Sequence, residues 1–222
     1  MGLKRLIATP LRLATRRSAA PSLGKLRFDT MAPMQASTLV KQTLPDIREA
    51  GLSGPVLDLA CGEGRNGLYL VTQGQHVVFA DRQQALLDKL ATDLKTNPLA
   101  DYWCVDFEAH GRNPLEGLSF CAILVFRYLH RPLLPAIKRA VRPGGLIIYE
   151  TFTVDQPRFG RPTNPDFLLR AGELKDCFQG WQILHEFEGP STSESSGQQQ
   201  AIAQIVARRP IEAAALAQFN EQ

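Results

Sequence analysis

The run VLDLACGEGRNG, residues 56–67, constrains this chain more than any other part of it. An apolar stretch leads straight into Gly62-x-Gly64-x-x-Gly67, and NGLYLVTQG (66–74) continues with apolar residues at helical spacing. A strand, a glycine turn and a helix in that order make the first half of a parallel β-α-β unit. In such a unit the glycines let the backbone approach a ligand at the helix start. The spacing is that of a dinucleotide-binding loop, yet Asp58 sits inside the strand that feeds it. Whether the loop takes a pyrophosphate or some other group decides what the chain does.

The rest of the pattern extends the unit. Gln35 to Ala50 reads as a helix stopped by Gly51, and GPVLDLA (54–60) as a buried strand. HVVFAD (76–81), DYWCVDF (101–107), FCAILVF (120–126) and LIIYETF (146–152) read as four more strands. Helices over 66–74, 82–94 and 132–141 separate them, and the turn RPGG precedes the fifth strand. This alternation implies a parallel sheet with helices on both faces. The ending differs: a short helix over 172–180, then WQILHEFEG (181–189) and AIAQIVARR (201–209), which alternate as strands around the polar tract STSESSGQQQ. Two such runs make an antiparallel hairpin at a sheet edge. The expected fold is α/β, a Rossmann-like doubly wound seven-stranded sheet, mostly parallel, with an antiparallel edge hairpin.

Ligands of open parallel sheets bind beyond the carboxyl ends of the strands, where strand order reverses. The second strand ends in Asp81, 19 residues after Gly62, and an acid there can bond ribose hydroxyls of either a nicotinamide cofactor or an adenosyl one. Three features discriminate. Asp58, four positions before Gly62, would repel a pyrophosphate but attract an ammonium. A chain of 222 residues leaves no room for a second nucleotide-binding half and a substrate domain. The terminal hairpin suits a seven-stranded sheet better than a six-stranded parallel one.

At these residues the sequence resembles the class I S-adenosylmethionine-dependent methyltransferases, over about Gln35 to Arg209. VLDLACGEGRNG looks like that family's glycine motif, FAD (79–81) like its ribose-binding strand end, VDF (105–107) like its third-strand motif, and VRPGGLIIYETF (141–152) like its last conventional motif. GRNGLYLV resembles the tellurite-resistance branch, and YLHRPL (128–133) and GRPTNPDFLL (160–169) resemble a set of small methyltransferases. The resemblance implies adenosylmethionine as cofactor, held by Asp58, Ala60, Cys61, Gly62, Glu63, Gly64, Asn66 and Asp81, with Asp106 on the adenine amino group and Phe107 on the adenine ring. The plainer alternatives are a turn aspartate at 106, a core phenylalanine at 107, and a Cys61 kept for its small size.

For catalysis the end of the fourth strand, FRYLHRP, concentrates polar chemistry where a pocket is expected. His130 is a candidate general base, or a cap of the helix beginning at Pro132. Tyr128 and Arg131 are candidate substrate contacts, and Glu150, beside Thr151, is an alternative base or a solvated strand-end carboxylate. TFTVDQPRFGRPTNPDFLL (151–169) is too long for a plain connection and reads as an ordered lid carrying Arg158 and Arg161. Together with Arg127 and Arg131 these arginines point to a small anionic acceptor, unless they pair with surface acids. His76 and His185 read as structural, and His110 carries no signal.

Composition bounds the rest. At 44% hydrophobic and 21% charged residues the chain is an ordinary globular protein, and no apolar run approaches the ~20 residues that cross a bilayer. Residues 1–30 carry seven Lys or Arg against one acid, while the remainder is formally −3. The organisation expected is a basic leader over 1–34, one methyltransferase domain over 35–209 and a tail over 210–222. The leader has the Arg- and Ser-rich character of a mitochondrial transit peptide, which makes mitochondrial import the alternative to a cytoplasmic protein. A basic arm without a continuing basic track gives no nucleic-acid partner. Cys61, Cys104, Cys121 and Cys177 form no CxxC pair, so no metal is expected. The reading is in-line methyl transfer to a small molecule. Its rivals are an NAD(P)-dependent oxidoreductase using the same glycines, a non-catalytic adenosylmethionine-binding module, and methylation of RNA or protein, for which no docking motif is seen.

Overall fold

The computed structural model describes residues 35–49, 54–95, 97–109, 111 and 113–211. The leader, Gly51, His110 and the tail beyond Ile211 lie outside the described residues. In chain order the elements are α1 (Thr38–Glu49), β1 (Val56–Leu59), α2 (Arg65–Thr72), β2 (Val77–Asp81), α3 (Gln84–Leu94), β3 (Ala100–Cys104), β4 (Phe120–Phe126), α4 (Leu134–Ala140), β5 (Val141–Phe152), α5 (Glu173–Cys177), β6 (Gln182–Thr192) and β7 (Gln199–Arg208). Short 3-10 turns cover Arg131–Leu133, Gln156–Arg158 and Pro165–Phe167.

All seven strands form one sheet in the order β3-β2-β1-β4-β5-β7-β6. β1 lies parallel between β2 and β4, β5 is parallel to β4, and β7 runs antiparallel to both β5 and β6. The expected doubly wound sheet with an antiparallel edge hairpin is the observed one. Strand order reverses between β1 and β4, so the carboxyl ends of these two strands open the crevice in which such folds bind ligands.

The strands are apolar because both their faces are covered. Alternate residues divide between two cores. Leu57, Leu59, Ile123, Val125, Ile147 and Tyr149 pack with Ile137 of α4, Leu174 of α5 and Phe178 just after α5. Val56, Phe79, Leu124 and Ile148 face the other way, onto Leu39, Leu70 and Leu87 of α1, α2 and α3. By the same alternation Asp58 shares a face with Val56 and points toward α2.

Two boundaries differ from the sequence reading for physical reasons. β5 starts at Val141 because the strand runs through RPGG across a register shift opposite Phe120/Ala122. There Gly145 packs where a Cβ would meet the Cys121 carbonyl oxygen at 2.7 Å. The polar tract after β6 is also largely strand: Ser191 pairs with Gln200 and Thr192 with Gln199, leaving only 193–198 as the turn. Most of β6 is exposed at the sheet edge, so serine, threonine and glutamine cost the ladder little there.

Candidate active site

The glycine turn leaves β1 through a left-handed residue, Ala60 (φ 52°), and continues through Gly62 (φ 56°) and Gly64 (φ 72°), the N-cap of α2. A Cβ on Gly62 would have nothing within 4 Å, so glycine is there for its conformation and for the open space above it. Gly67 is different. A Cβ there would lie 2.4 Å from Phe79 Cε1 and 2.8 Å from Asp58 Oδ2, so this glycine lets α2 press onto β1 and β2.

Two buried carboxylates hold the turn. Asp58 Oδ2 accepts from the Gly67 N–H at 2.9 Å, capping the first turn of α2 from the strand below. Asp81 Oδ2 accepts from the Gly62 N–H at 2.9 Å, and its Oδ1 accepts from the Gln83 N–H at the start of α3. Both acids were expected to grip a ligand; their direct partners in the structure are the backbone amides of the loop that would carry it. Burial pushes the Asp58 carboxyl up to about 7, although the Gly67 N–H and the Arg65 charge pull the other way. Burial, with Asp58 and Asp81 nearby, pushes the Cys61 thiol up, which rules against a thiolate nucleophile.

A cleft of about 580 Å³ opens above this turn. Ala60, Cys61, Gly62, Glu63, Gly64 and Asn66 line its floor, together with Asp58. Asn66 also braces the entrance, since its Oδ1 accepts from the Ser37 N–H ahead of α1 at 3.0 Å. Glu63, half exposed, sits 3.7 Å from Lys89. The far wall comes from the ends of β4 and β5, the 151–169 segment and the β6–β7 turn. Arg127 and Glu150 form an ion pair there at 3.0 Å. The second Glu150 oxygen accepts from the Gln204 amide, and His185 bonds Gln204 Oε1 at 3.0 Å. Both oxygens of Glu150 are therefore engaged by side chains, and the group is buried rather than the solvated strand-end carboxylate the sequence also allowed.

Other candidates lie off the cleft lining. Asp106 is exposed and accepts from the Glu108 N–H, a turn aspartate just past β3, which ends at Cys104. Phe107 is buried edge-on to Trp103 at 5.6 Å, in the core. His130 caps the Arg131–Leu133 turn through its carbonyl oxygen, with no side-chain cap bond. The Tyr128 hydroxyl is buried without a hydrogen-bond partner, and burial plus the nearby Glu108 and Asp106 carboxylates push it up. Its carbonyl takes the Tyr149 hydroxyl. The structure therefore gives the catalytic reading of His130 and Tyr128 no contact with this cleft.

Arg131 has a structural job. Its guanidinium makes two bonds to Glu173, at 2.6 and 2.8 Å, and donates to the Asp166 and Leu168 carbonyls. The same pairing holds the Glu173 carboxyl below its ordinary range. Arg131 thus clamps the 151–169 segment to α5. Arg131→Met is expected to lose about 2 kcal/mol, because a two-pronged charged bond goes and two carbonyls lose their donor. The checks are a lowered melting temperature and faster proteolysis between 155 and 168. Unchanged cleavage in that window would remove the clamp assignment.

The segment is the ordered structure the sequence suggested. Gln156, buried, donates to the Arg161 carbonyl and accepts from the Ala201 N–H, which ties the segment to β7. Arg161 and Phe159 line the cleft, whereas Arg158 pairs with Asp155 at the surface. Several cleft residues escaped the sequence reading. Gln200 and Gln204 stand six and two residues before Val206 on the same β7 face; the period-two spacing in QQQAIAQIV was visible, but no motif marks it. Glu194, in the β6–β7 turn, accepts from the Thr38 N–H at the start of α1, closing the hairpin tip over the cleft. Arg65 donates to the Gln35 carbonyl and lies 5.9 Å from the Phe126 ring centre.

Comparison with known proteins agrees with this architecture. A probable S-adenosyl-L-methionine-dependent methyltransferase TehB of Haemophilus influenzae is 30% identical over 136 residues, covering 58% of this chain and 46% of that protein. The chain thus spans about half the length of the curated relatives it matches. The crystal structure of TehB from Haemophilus influenzae superposes with a TM-score of 0.58 at 21% identity, over 74% of this chain and 61% of that one. The glycopeptide N-methyltransferase MtfA complexed with sinefungin does so at 0.54 and 15% identity, over 82% and 90%. These two likenesses establish the fold. The family model described as Tellurite resistance protein TehB matches residues 42–194, and by that match the chain belongs to the TehB family.

Proposed function

We propose that the chain is an S-adenosylmethionine-dependent methyltransferase that methylates a small molecule. The observation that carries the reading is the open glycine turn between two buried carboxylates, Asp58 and Asp81, at the switch point of the sheet. The residues fit the cofactor. Gly62 leaves space at the backbone, Asp58 lines the floor where an amino-acid ammonium needs a negative partner, and Asp81, which stands behind the cleft lining and holds the Gly62 N–H, has lone pairs left for ribose hydroxyls. Two members of the comparison support it: the relatives are named for that cofactor, and MtfA binds sinefungin, an analogue of it.

When bound, adenosylmethionine supplies a methyl group on a positively charged sulfur, and the acceptor's lone pair takes the carbon as the carbon–sulfur bond breaks. The chain's part is to align the acceptor and keep water out. The 151–169 segment and the hairpin tip held by Glu194 cover the cleft for this purpose. In this reading 35–209 is the working domain. It acts in the cytoplasm, with mitochondrial import as the alternative that a fluorescent fusion of residues 1–34 distinguishes. No helix of the described residues is long and apolar enough to cross a membrane.

The anionic acceptor expected from four arginines fits this wall poorly. Arg127, Arg131 and Arg158 each already face a carboxylate, and only Arg127 and Arg161 of the four line the cleft.

Calorimetric titration with adenosylmethionine, adenosylhomocysteine and NAD(P) tests the reading. The two adenosyl compounds are expected to bind and the dinucleotides not. Asp81→Ala should weaken them by about tenfold or more, as loss of a charged hydrogen bond to a hydroxyl does. Binding of a dinucleotide alone would overturn the proposal.

A further inference from the structure

A row of polar side chains crosses four strands on one face of the sheet, from the cleft wall to the outer edge. Arg127 follows β4, Glu150 lies on β5, Gln204 on β7 and His185 on β6. Register makes the row. Glu150 stands opposite Gln204, and His185 opposite Val206, two residues along the same face of β7. Arg127 Nη2 pairs with Glu150 Oε1 at 3.0 Å, the Gln204 amide donates to Glu150 Oε2, and His185 Nε2 lies 3.0 Å from Gln204 Oε1. Arg127, Glu150 and Gln204 line the cleft, and His185 stands outside the lining.

The direction of every bond in the row is fixed from the cleft end. A guanidinium only donates, so Glu150 receives at its first oxygen. The second oxygen accepts from the Gln204 N–H2, because the reverse placement would set a carbonyl oxygen against a carboxylate oxygen with no proton between them. The Gln204 carbonyl oxygen is thereby turned to His185, where it can only accept, so the imidazole carries its proton on Nε2. A neutral ring with its proton on Nδ1 would present a lone pair to that oxygen and drive the amide to turn over. His185 reads from sequence as structural. In the fold it is the group that decides which end of the Gln204 amide faces Glu150.

That choice bears on the wall of the cleft. Arg127 Nη2 also reaches Gln200 Oε1 at 3.0 Å, and the guanidinium lies 4.4 Å from the Phe152 ring centre. Its place depends on Glu150 staying where it is, and an inverted Gln204 amide would repel that buried carboxylate.

We propose that His185 is a positioning residue. By donating from Nε2 to Gln204 Oε1 it locks the Gln204 amide, and through it the Glu150–Arg127 pair, into one arrangement of the cleft wall. The inference rests on the methyltransferase reading for calling this the wall that the methyl acceptor meets. The bonding itself stands on the row alone.

Nitrogen-15 NMR of the full chain at about pH 8.5, where an ordinary imidazole is neutral, reads the His185 tautomer in the wild type. A proton-bearing Nε2 and a bare Nδ1 are expected. Two variants carry the test to the cleft. His185→Phe fills similar space without a donor. Hydrogen exchange of the Gln204 side-chain N–H2 is then expected to speed up about tenfold or more, with shifted Arg127 Nη signals. His185→Gln, whose amide nitrogen can stand in for Nε2, should return both toward wild type. A packing role alone would be met by the phenyl ring and would move neither signal. A His185→Phe chain that fails to fold leaves the wild-type tautomer to decide. A bare Nε2, unchanged Gln204 and Arg127 signals in His185→Phe, or a His185→Gln no closer to wild type than His185→Phe overturns the inference. Failure of the wild type to bind adenosylhomocysteine would instead strike the methyltransferase reading, and the tautomer and wall signals would still judge this one.

Discussion

Gly67→Ala is expected to lower the melting temperature by about 6–12 °C, from a loss of about 3 kcal/mol in a domain of this size. Alanine is the better helix former by about 1 kcal/mol, and at an exposed site the change would stabilise α2. Here the added carbon would lie 2.4 Å from Phe79 Cε1 and 2.8 Å from Asp58 Oδ2. Phe79 is fully buried, stacked 5.9 Å from Tyr102, and has no free space to retreat into. Relief therefore has to come from lifting α2, which breaks the Gly67–Asp58 bond and loosens the turn above it. Gly62→Ala is the control: its Cβ meets nothing, so it should cost about 1 kcal/mol of backbone strain while obstructing the cofactor. Thermal melts by circular dichroism with adenosylhomocysteine titrations separate the two. A Gly67→Ala melt within a degree or two of wild type would show that α2 does not press on β2 as described.

Cofactor affinity is expected to fall by up to about tenfold for each pH unit below 7, and to be level just above it. The sign follows from Asp58. Its carboxyl stands at about 7 in the free protein, raised chiefly by burial, with Asp81 raising it further and the Gly67 N–H and Arg65 lowering it. An ammonium placed beside it favours the carboxylate, so binding from the protonated form has to expel a proton. Below pH 7 that expulsion costs affinity; above it the carboxylate is already there. At pH 7 about half a proton should be released per cofactor bound, which titrations in buffers of different ionisation enthalpy measure. The free fold behaves conversely. A carboxyl raised from its ordinary 3.8 weakens the folded state as pH climbs from that value toward 7, and the bound ligand restores what is lost. Asp58→Asn keeps an oxygen for the Gly67 N–H and cannot ionise, so its affinity should be weaker and flat through this range. A wild-type profile equally flat between pH 5.5 and 8 would remove Asp58 from the ammonium.

The parts of the fold carried by local spacing were legible. The β1–turn–α2 unit, the alternation of strands and helices, and the closing hairpin each follow from apolar periodicity and glycine placement within a short window. The acids at 58 and 81 were legible as strand-end groups beside the crevice, where Asp58 lines the cleft. Their role as caps for Gly67, Gly62 and Gln83 was not, since it depends on where two strands bring a carboxylate relative to a loop. Arg131 and Arg127 are four residues apart and read alike in FRYLHRP. One is taken up by Glu173, 42 residues away, and the other by Glu150 and Gln200, partners that only the sheet order reveals. The polar hairpin tract read as a break because edge strands tolerate residues that central ones exclude. His130 drew notice for its chemistry, and the structure places it at the start of a short turn, outside the cleft lining.

The tether between Glu194 and the Thr38 amide has a bearing on traffic. It is an exposed contact, whereas the floor opposite is fastened by carboxylates buried to 3% and 6% exposure. Swinging the hairpin tip aside would therefore cost less than parting the floor, since it breaks one exposed contact and no buried one. The tip is a doorway remote in sequence from the groups on the floor, so Glu194→Ala is expected to shorten the dwell time of a molecule bound in the cleft while leaving those groups in place.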